Sequence, residues 1–207
     1  MASKFRNAGQ ACVSTNRVLV QARVHDEFVA KIKVAMETKL ILGNGMDPGV
    51  TQGPLINRSQ FSKVCSLVEQ AKIAGAEVVM GGEPCPIGPL HYKPTIVTEV
   101  TPDMDLFKNE IFGPVVSVTK FSTEQEALDI ANDCRTGLAS YIYTSDVSQC
   151  WRVGKRLQTG MVGINEGMIV TAEAALGGIK ESGFGREGSS HGMDDYTNIK
   201  YLCFGGL

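Results

Sequence analysis

The chain has 207 residues, 43% of them apolar and 20% charged, with a formal net charge of −2, which is the composition of an ordinary globular protein. Its basic residues form no cluster, which argues against nucleic acid or an anionic membrane surface as a partner. No apolar run reaches the roughly 20 residues of a membrane span, and the N-terminus lacks a secretory pattern. We therefore expect a cytoplasmic location, with the mitochondrial matrix as the alternative for a eukaryotic source.

The first half of the chain alternates strands and helices. A β-branched run over 16–23 predicts a strand, and apolar residues at helical spacing predict a helix over 24–38. After a Gly-rich break, a second apolar stripe predicts a helix over 59–74 that ends at Gly75. A strand over 76–80 follows, and the Gly- and Pro-rich residues 81–94 predict a surface loop.

The second half continues the alternation, with strands predicted over 95–100, 114–121, 138–144 and 161–165. Thr123 and Glu126 have capping-box spacing at the start of one helix, and another helix is predicted around 147–157. Strands separated by helices predict an α/β fold with an open, mainly parallel twisted sheet flanked by helices. The last residues predict an extra strand, suited to pair with the sheet edge of another subunit.

Cys12 has the clearest chemical context in the chain. The six cysteines show no CxxC spacing, which predicts neither a disulfide framework nor a metal site, and most are expected to be buried free thiols. Before Cys12, the stretch from Asn7 to Gly9 allows the backbone to approach a substrate closely, as a nucleophilic thiol requires. Arg6 adds a positive charge that favours the thiolate. The alternative is that Cys12 begins a buried strand.

Three motifs resemble those of one enzyme family. FRNAGQAC at 5–12 resembles the active-site signature of the aldehyde dehydrogenase superfamily, and NEIFGPVV at 109–116 and GGIKESGFGRE at 177–187 resemble its second and third signatures. Within the superfamily, the chain most resembles the NAD(P)-dependent succinate-semialdehyde dehydrogenases. The resemblance implies a catalytic domain at 1–193 and an oligomerisation strand at 194–207 of a homo-oligomer. It also implies that the family's N-terminal coenzyme-binding domain is absent.

The resemblance also implies roles for individual residues. Cys12 would be the nucleophile that forms a thioester with the aldehyde substrate, and its backbone N–H would help to hold the oxyanion. Glu110 and Phe112 would contact the nicotinamide side of NAD or NADP. Arg6 would bind the far carboxylate of the substrate. The alternatives are a solvated charge for Glu110, core packing for Phe112 and a structural ion pair for Arg6. The third motif is assigned a structural role.

The chain departs from the family pattern near the expected substrate tunnel. Leu176 follows Ala175 where the family usually has Pro-Phe, and Val170 replaces a serine that helps to bind the substrate carboxylate, with Thr171 beside it as a substitute. Glutarate semialdehyde or an uncharged aldehyde are therefore alternatives to succinate semialdehyde. Ser14 stands where some relatives carry the second cysteine of a redox switch, which excludes such a switch here.

The sequence contains no match to ELGGK, the family segment with the general-base glutamate. We therefore expect the isolated chain not to oxidise aldehydes efficiently, because Glu166, Glu173 and Glu181 could replace that base only by accident of folding. A non-catalytic assembly or binding module is an alternative. A cysteine hydrolase is another, and it would need a histidine partner for the thiol. Its candidates are His25, His91 and His191.

Overall fold

A computed structural model describes residues 1–206 of the chain. Its helices are α1 (Ala2–Phe5), α2 (His25–Lys39), α3 (Arg58–Ile73), α4 (Asp105–Lys108), α5 (Glu124–Asn132) and α6 (Val147–Arg156). Its strands are β1 (Arg17–Gln21), β2 (Glu77–Met80), β3 (Thr95–Thr98), β4 (Val115–Phe121), β5 (Thr136–Gly137), β6 (Ala139–Ile142), β7 (Met161–Ile164) and β8 (Ile179–Lys180). The long helices begin and end within about two residues of their predicted bounds.

The largest sheet contains four strands in the order β1-β4-β3-β2. β4 pairs in parallel with β1 and β3, and β2 closes one edge in antiparallel orientation. All of β3 and most of β4 are buried, as expected for strands that are covered on both faces. β6 and β7 also pair in parallel. The prediction of an α/β fold with mainly parallel strands is confirmed.

Helices cover the two faces of the large sheet. On one face, α3 contributes Val64 and Val68 to a core that includes Val97 of β3. On the other face, α2 contributes Met36 to a core that includes Ile96. Adjacent residues of β3 therefore enter different cores, because side chains alternate along a strand.

Side-chain caps fix the starts of α5 and α3. The Thr123 hydroxyl accepts from the Glu126 N–H at 3.2 Å, and the Glu126 carboxylate accepts from the Thr123 N–H at 3.4 Å. The predicted capping box is confirmed. Asn57 caps α3 in the same way by accepting from the Gln60 N–H at 2.8 Å.

The later strands form separate small sheets and do not extend the large one. β6 and β7 pair with each other, as do β5 and β8. No residue of α6, which connects β6 to β7, is buried, and Trp151 on it is 67% exposed. The 81–94 segment is a loop as predicted, but it places Tyr92 in the core beside Phe61, with the two rings edge to face.

The predicted C-terminal strand is not formed. Ser190–Tyr196 is a 3-10 helix, and residues 197–206 pair with no described strand. A strand requires a neighbour for its N–H and C=O groups, and the described part of a single chain offers this segment none. Leu207, which the predicted strand also included, lies outside the described residues. No helix among residues 1–206 is long and apolar enough to cross a membrane.

Candidate active site

The segment before Cys12 follows an unusual backbone path. After α1, Asn7, Ala8 and Gly9 all have positive φ, at 52°, 56° and 76°. A Cβ on Gly9 would lie 2.2 Å from the carbonyl oxygen of Gly113, so only glycine fits this contact. The first and second sequence motifs are therefore in direct backbone contact.

Two amide side chains hold this path in place. Asn7 Nδ2 donates to the Gln10 carbonyl at 3.0 Å, and the Gln10 N–H donates to the Asn7 carbonyl at the same distance. The buried Gln10 side chain also accepts from the Ile56 N–H at 2.8 Å. These bonds compensate for the cost of the left-handed residues, about 1 kcal/mol or more each, and tie the loop to the chain before α3.

Cys12 lies in an exposed turn, and not at the start of a buried strand. The backbone N–H groups of Ala11, Cys12 and Val13 donate to no group among residues 1–206. Free N–H groups beside an exposed thiol are the donors that an oxyanion needs. The expectation that most cysteines are buried is wrong, because Cys203 is also exposed and the other four are only partly buried. Most of these thiols lie on loops or helices, and Cys65 of α3 packs against the edge of the core.

The chain after Cys12 is anchored from two sides. The Tyr141 hydroxyl of β6 donates to the Val13 carbonyl at 2.8 Å. Burial raises the pKa of Tyr141 to about 12, so this hydroxyl remains a donor at neutral pH. On the other side, the Thr15 N–H donates to the Ser3 carbonyl of α1 at 2.8 Å.

The second motif presents Glu110 and Phe112 next to this loop. Glu110 is exposed and forms no ion pair with a described residue, and Phe112 is half-buried with a positive φ of 52°. Gln60 of α3 donates from Nε2 to the carbonyls of both Ile111 and Phe112 at 2.8 Å. Asn16 binds the backbone on both sides of Glu110, with bonds of 2.9 and 2.8 Å.

Lys4 is a buried lysine that the sequence did not reveal. It is 4% exposed, on α1. Burial lowers its pKa to about 7, and the negative charge of Glu110 acts in the opposite direction. A lysine next to an aromatic residue in a short segment carries no sequence signal of burial. Only the packing of α1 against the second motif shows it.

Arg6 and Val170 line the same narrow cleft, which Ser14 and Tyr141 also line. Arg6 is exposed and forms no ion pair among residues 1–206, so the alternative of a structural ion pair is not seen. Thr171 is exposed, and Leu176 pairs with Glu187 in a short bridge. Neither of these two lines the cleft.

The side chains considered as substitute bases or thiol partners have other contacts. Glu166 accepts from the Met168 N–H at 2.7 Å, and Glu181 pairs with Arg135 at the same distance. Glu173 is exposed. His25 contacts Asp26, His91 contacts the Gly43 carbonyl, and His191 contacts Asp194. No described side chain forms a hydrogen bond with the Cys12 sulfur, so the geometry does not support a cysteine hydrolase.

Side chains of the third motif bind backbone. Lys180 donates to the Asn132 and Cys134 carbonyls at 2.8 and 2.9 Å at the C-terminus of α5. Arg186 donates to the Gly178 carbonyl at 2.9 Å. These contacts fit the structural role expected for the motif.

The fold and the cysteine loop define a class of protein: the chain belongs to the aldehyde dehydrogenase family, whose pattern matches residues 1–202. It is 51% identical over all 207 residues to the mitochondrial succinate-semialdehyde dehydrogenase of Rattus norvegicus. The predicted likeness to this group is confirmed. The chain spans 40% of the length of the rat protein.

Solved structures give the same result. The succinate-semialdehyde dehydrogenase of Burkholderia pseudomallei is 46% identical, with a TM-score of 0.96 over 98% of this chain and 42% of its own. An NAD+ complex of an aldehyde dehydrogenase from Bacillus cereus is 38% identical, with a TM-score of 0.90 over 96% of this chain and 40% of its own. The chain therefore has the fold of one part of these longer proteins.

Proposed function

We propose that this chain is the cysteine-bearing catalytic domain, over residues 1–193, of an NAD(P)-dependent aldehyde dehydrogenase. The observation that supports this most directly is the exposed Cys12 thiol, beside three unbonded backbone N–H groups and on a loop packed against the second motif. Membership of the aldehyde dehydrogenase family supports the role of this thiol as the nucleophile.

In this mechanism the Cys12 thiolate attacks the aldehyde carbon, and the free N–H groups of the turn hold the oxyanion of the thiohemiacetal. NAD or NADP, when bound, would supply the acceptor for the hydride that leaves this adduct as it becomes a thioester. Glu110 suits the coenzyme because its exposed carboxylate can accept hydrogen bonds from ribose hydroxyls, and Phe112 offers an apolar surface beside it. Water then hydrolyses the thioester. This step needs a base, and the sequence contains no ELGGK segment to supply one, so an acyl group placed on Cys12 of this chain should be hydrolysed slowly.

The Cys12 proposal is tested on the chain itself with p-nitrophenyl acetate. Cys12 attacks the ester carbonyl, p-nitrophenolate leaves, and the acetyl group remains on sulfur. We expect a burst of about one p-nitrophenolate per chain and slow turnover thereafter. Cys12→Ser should abolish the burst, whereas Cys203→Ser, which removes the other exposed thiol, should preserve it. Sustained turnover would show that the chain holds its own base.

We further propose that Arg6 binds the second carboxylate of a semialdehyde, with succinate semialdehyde as the preferred substrate. Arg6 is exposed in the cleft with Ser14, and a guanidinium suits a carboxylate. Val170 in the same cleft keeps glutarate semialdehyde and uncharged aldehydes as alternatives. Thr171 and Leu176 lie outside the cleft, so they contact the substrate only if it extends beyond the cleft.

The ester assay also tests Arg6. The succinate mono-p-nitrophenyl ester carries the second carboxylate, and the acetate ester lacks it. Arg6→Gln should slow acylation by the succinate ester about tenfold and leave the acetate ester within about twofold, as expected for loss of one charged hydrogen bond. Equal effects on both esters would exclude carboxylate recognition by Arg6.

We propose that residues 194–207 pair with a neighbouring subunit in a homo-oligomer. The segment exposes Ile199, Tyr201 and Phe204 and has no strand partner in the described chain. Deleting the residues after Asp195 should lower the mass in solution to that of a monomer. For location we propose the cytoplasm, or the mitochondrial matrix if the source is a eukaryote, since the rat relative is named as mitochondrial.

A further inference from the structure

The side chain of Asn16 brackets Glu110. Its Nδ2 donates to the carbonyl of Asn109 at 2.9 Å, and its Oδ1 accepts from the N–H of Ile111 at 2.8 Å. The two bonds fix the backbone immediately before and after Glu110. The Glu110 side chain itself stays exposed and free to bind.

The backbone of Asn16 is bound to the large sheet. The backbone carbonyl of Asn16 accepts from the Ser117 hydroxyl at 2.8 Å, and the next residue, Arg17, begins β1 in register with Ser117 of β4. Toward the nucleophile, Thr15 is bound to α1 through Ser3. Asn16 is therefore bound both to the large sheet and to the segment that carries Cys12.

Gln60 binds the second motif from a different element. It contacts the carbonyls of Ile111 and Phe112, and neither of the two groups that Asn16 binds. Asn16 is thus the side chain through which the cysteine segment fixes the position of Glu110.

We propose that Asn16 is a positioning residue that sets Glu110 relative to Cys12 and thereby places the coenzyme end of the site against the nucleophile. The functional part of this inference rests on the proposed role of Glu110. The geometric part rests on the hydrogen bonds of Asn16 to Asn109, Ile111 and Ser117 and on the bond of Thr15 to Ser3.

The chain contains a matched control. Asn132 brackets Leu157 in the same way: its Nδ2 donates to the Arg156 carbonyl at 2.9 Å, and its Oδ1 accepts from the Gln158 N–H at 2.8 Å. Replacing Asn132 removes the same kind of bond at the end of α5, from groups that Asn16 does not bind.

The test measures amide hydrogen exchange by NMR in the 207-residue chain, together with the order parameter of the Glu110 amide. Asn16→Ala should speed exchange of the Ile111 N–H about tenfold, the factor of roughly one net hydrogen bond, and lower the Glu110 order parameter. Asn132→Ala should speed exchange at Gln158 by a similar factor and leave Ile111 unchanged. Asn16→Asp keeps the acceptor for Ile111 but turns a second oxygen toward the Asn109 carbonyl, so the Glu110 order parameter should fall while the Ile111 N–H keeps more of its protection than in Asn16→Ala.

An unchanged exchange rate of the Ile111 N–H in Asn16→Ala would overturn the proposal. It would also be overturned if Asn132→Ala sped exchange at Ile111 as much as Asn16→Ala does. If Asn16→Ala does not fold, a wild-type order parameter of the Glu110 amide in Asn16→Asp would overturn it. A titration with NAD+, followed at the Glu110 amide, separates the two proposals. If NAD+ shifts this resonance, Asn16→Ala should weaken binding severalfold, and equal affinity would overturn the functional part. If NAD+ causes no shift even at millimolar concentration, Glu110 does not bind the coenzyme in this chain and the functional part fails for it, while the exchange data still decide whether Asn16 positions Glu110.

Discussion

Replacing the buried Lys4 with methionine should remove a specific pH dependence of stability. Lys4 is 4% exposed, and burial lowers its pKa from the ordinary 10.5 to about 7. Because the folded pKa lies below the unfolded one, the unfolded chain binds more protons between these values. The folded state therefore gains stability as pH rises from about 7 toward the unfolded pKa.

The size of the effect follows from the two pKa values. Linkage predicts that Lys4 contributes a rise in the free energy of unfolding of about 2 kcal/mol between pH 7 and pH 9. Between pH 6 and pH 7 both states are mostly protonated, so the change is well under about 1 kcal/mol. Methionine fills a similar unbranched volume and does not titrate, so Lys4→Met should lose this rise.

The assay is urea unfolding of both chains at several pH values, which yields the difference in unfolding free energy at each. Other groups that titrate in this range cancel in the difference. The control is Lys63→Met, at an exposed lysine of α3, which should give a constant difference. Parallel curves for the wild type and Lys4→Met would refute the assignment of a neutral buried amine above pH 7.

Further substitutions separate the packing of the cysteine loop from the stability of the rest of the fold. Gly9→Ala should cost more than about 2 kcal/mol of unfolding free energy, because it adds a backbone clash to a left-handed φ, whereas Gly183→Ala, with a φ of 99° and open space, should cost about 1 kcal/mol. An equal cost at both positions would remove the argument for the contact between Gly9 and the second motif. Tyr141→Phe should lower stability by about 1 kcal/mol and slow the acylation burst, which stopped-flow absorbance measures. Asn57→Ala should lower the urea midpoint by a similar free energy through loss of a helix cap, while the burst rate stays that of the wild type.

The sequence was most informative where the signal is local. Helical spacing located the long helices, and the capping box at Thr123 was visible as two residues at fixed separation. The motif around Cys12 led to the family. Each of these depends on a few neighbouring residues, whose preferences act before any tertiary contact forms.

What the sequence did not reveal depends on distant segments meeting. The bracket of Asn16 around Glu110 joins positions more than 90 residues apart, and nothing local to Asn16 distinguishes it from a solvated asparagine. The separate small sheets, and the missing partner of the terminal segment, likewise depend on which strand edges meet in space. The sequence by itself determined the alternating elements, the α/β class and the family, because propensity, capping and motif spacing are local properties. Only the tertiary structure decided that Lys4 is buried and that Arg6 and Val170 share a cleft, because burial and proximity are properties of the packed chain.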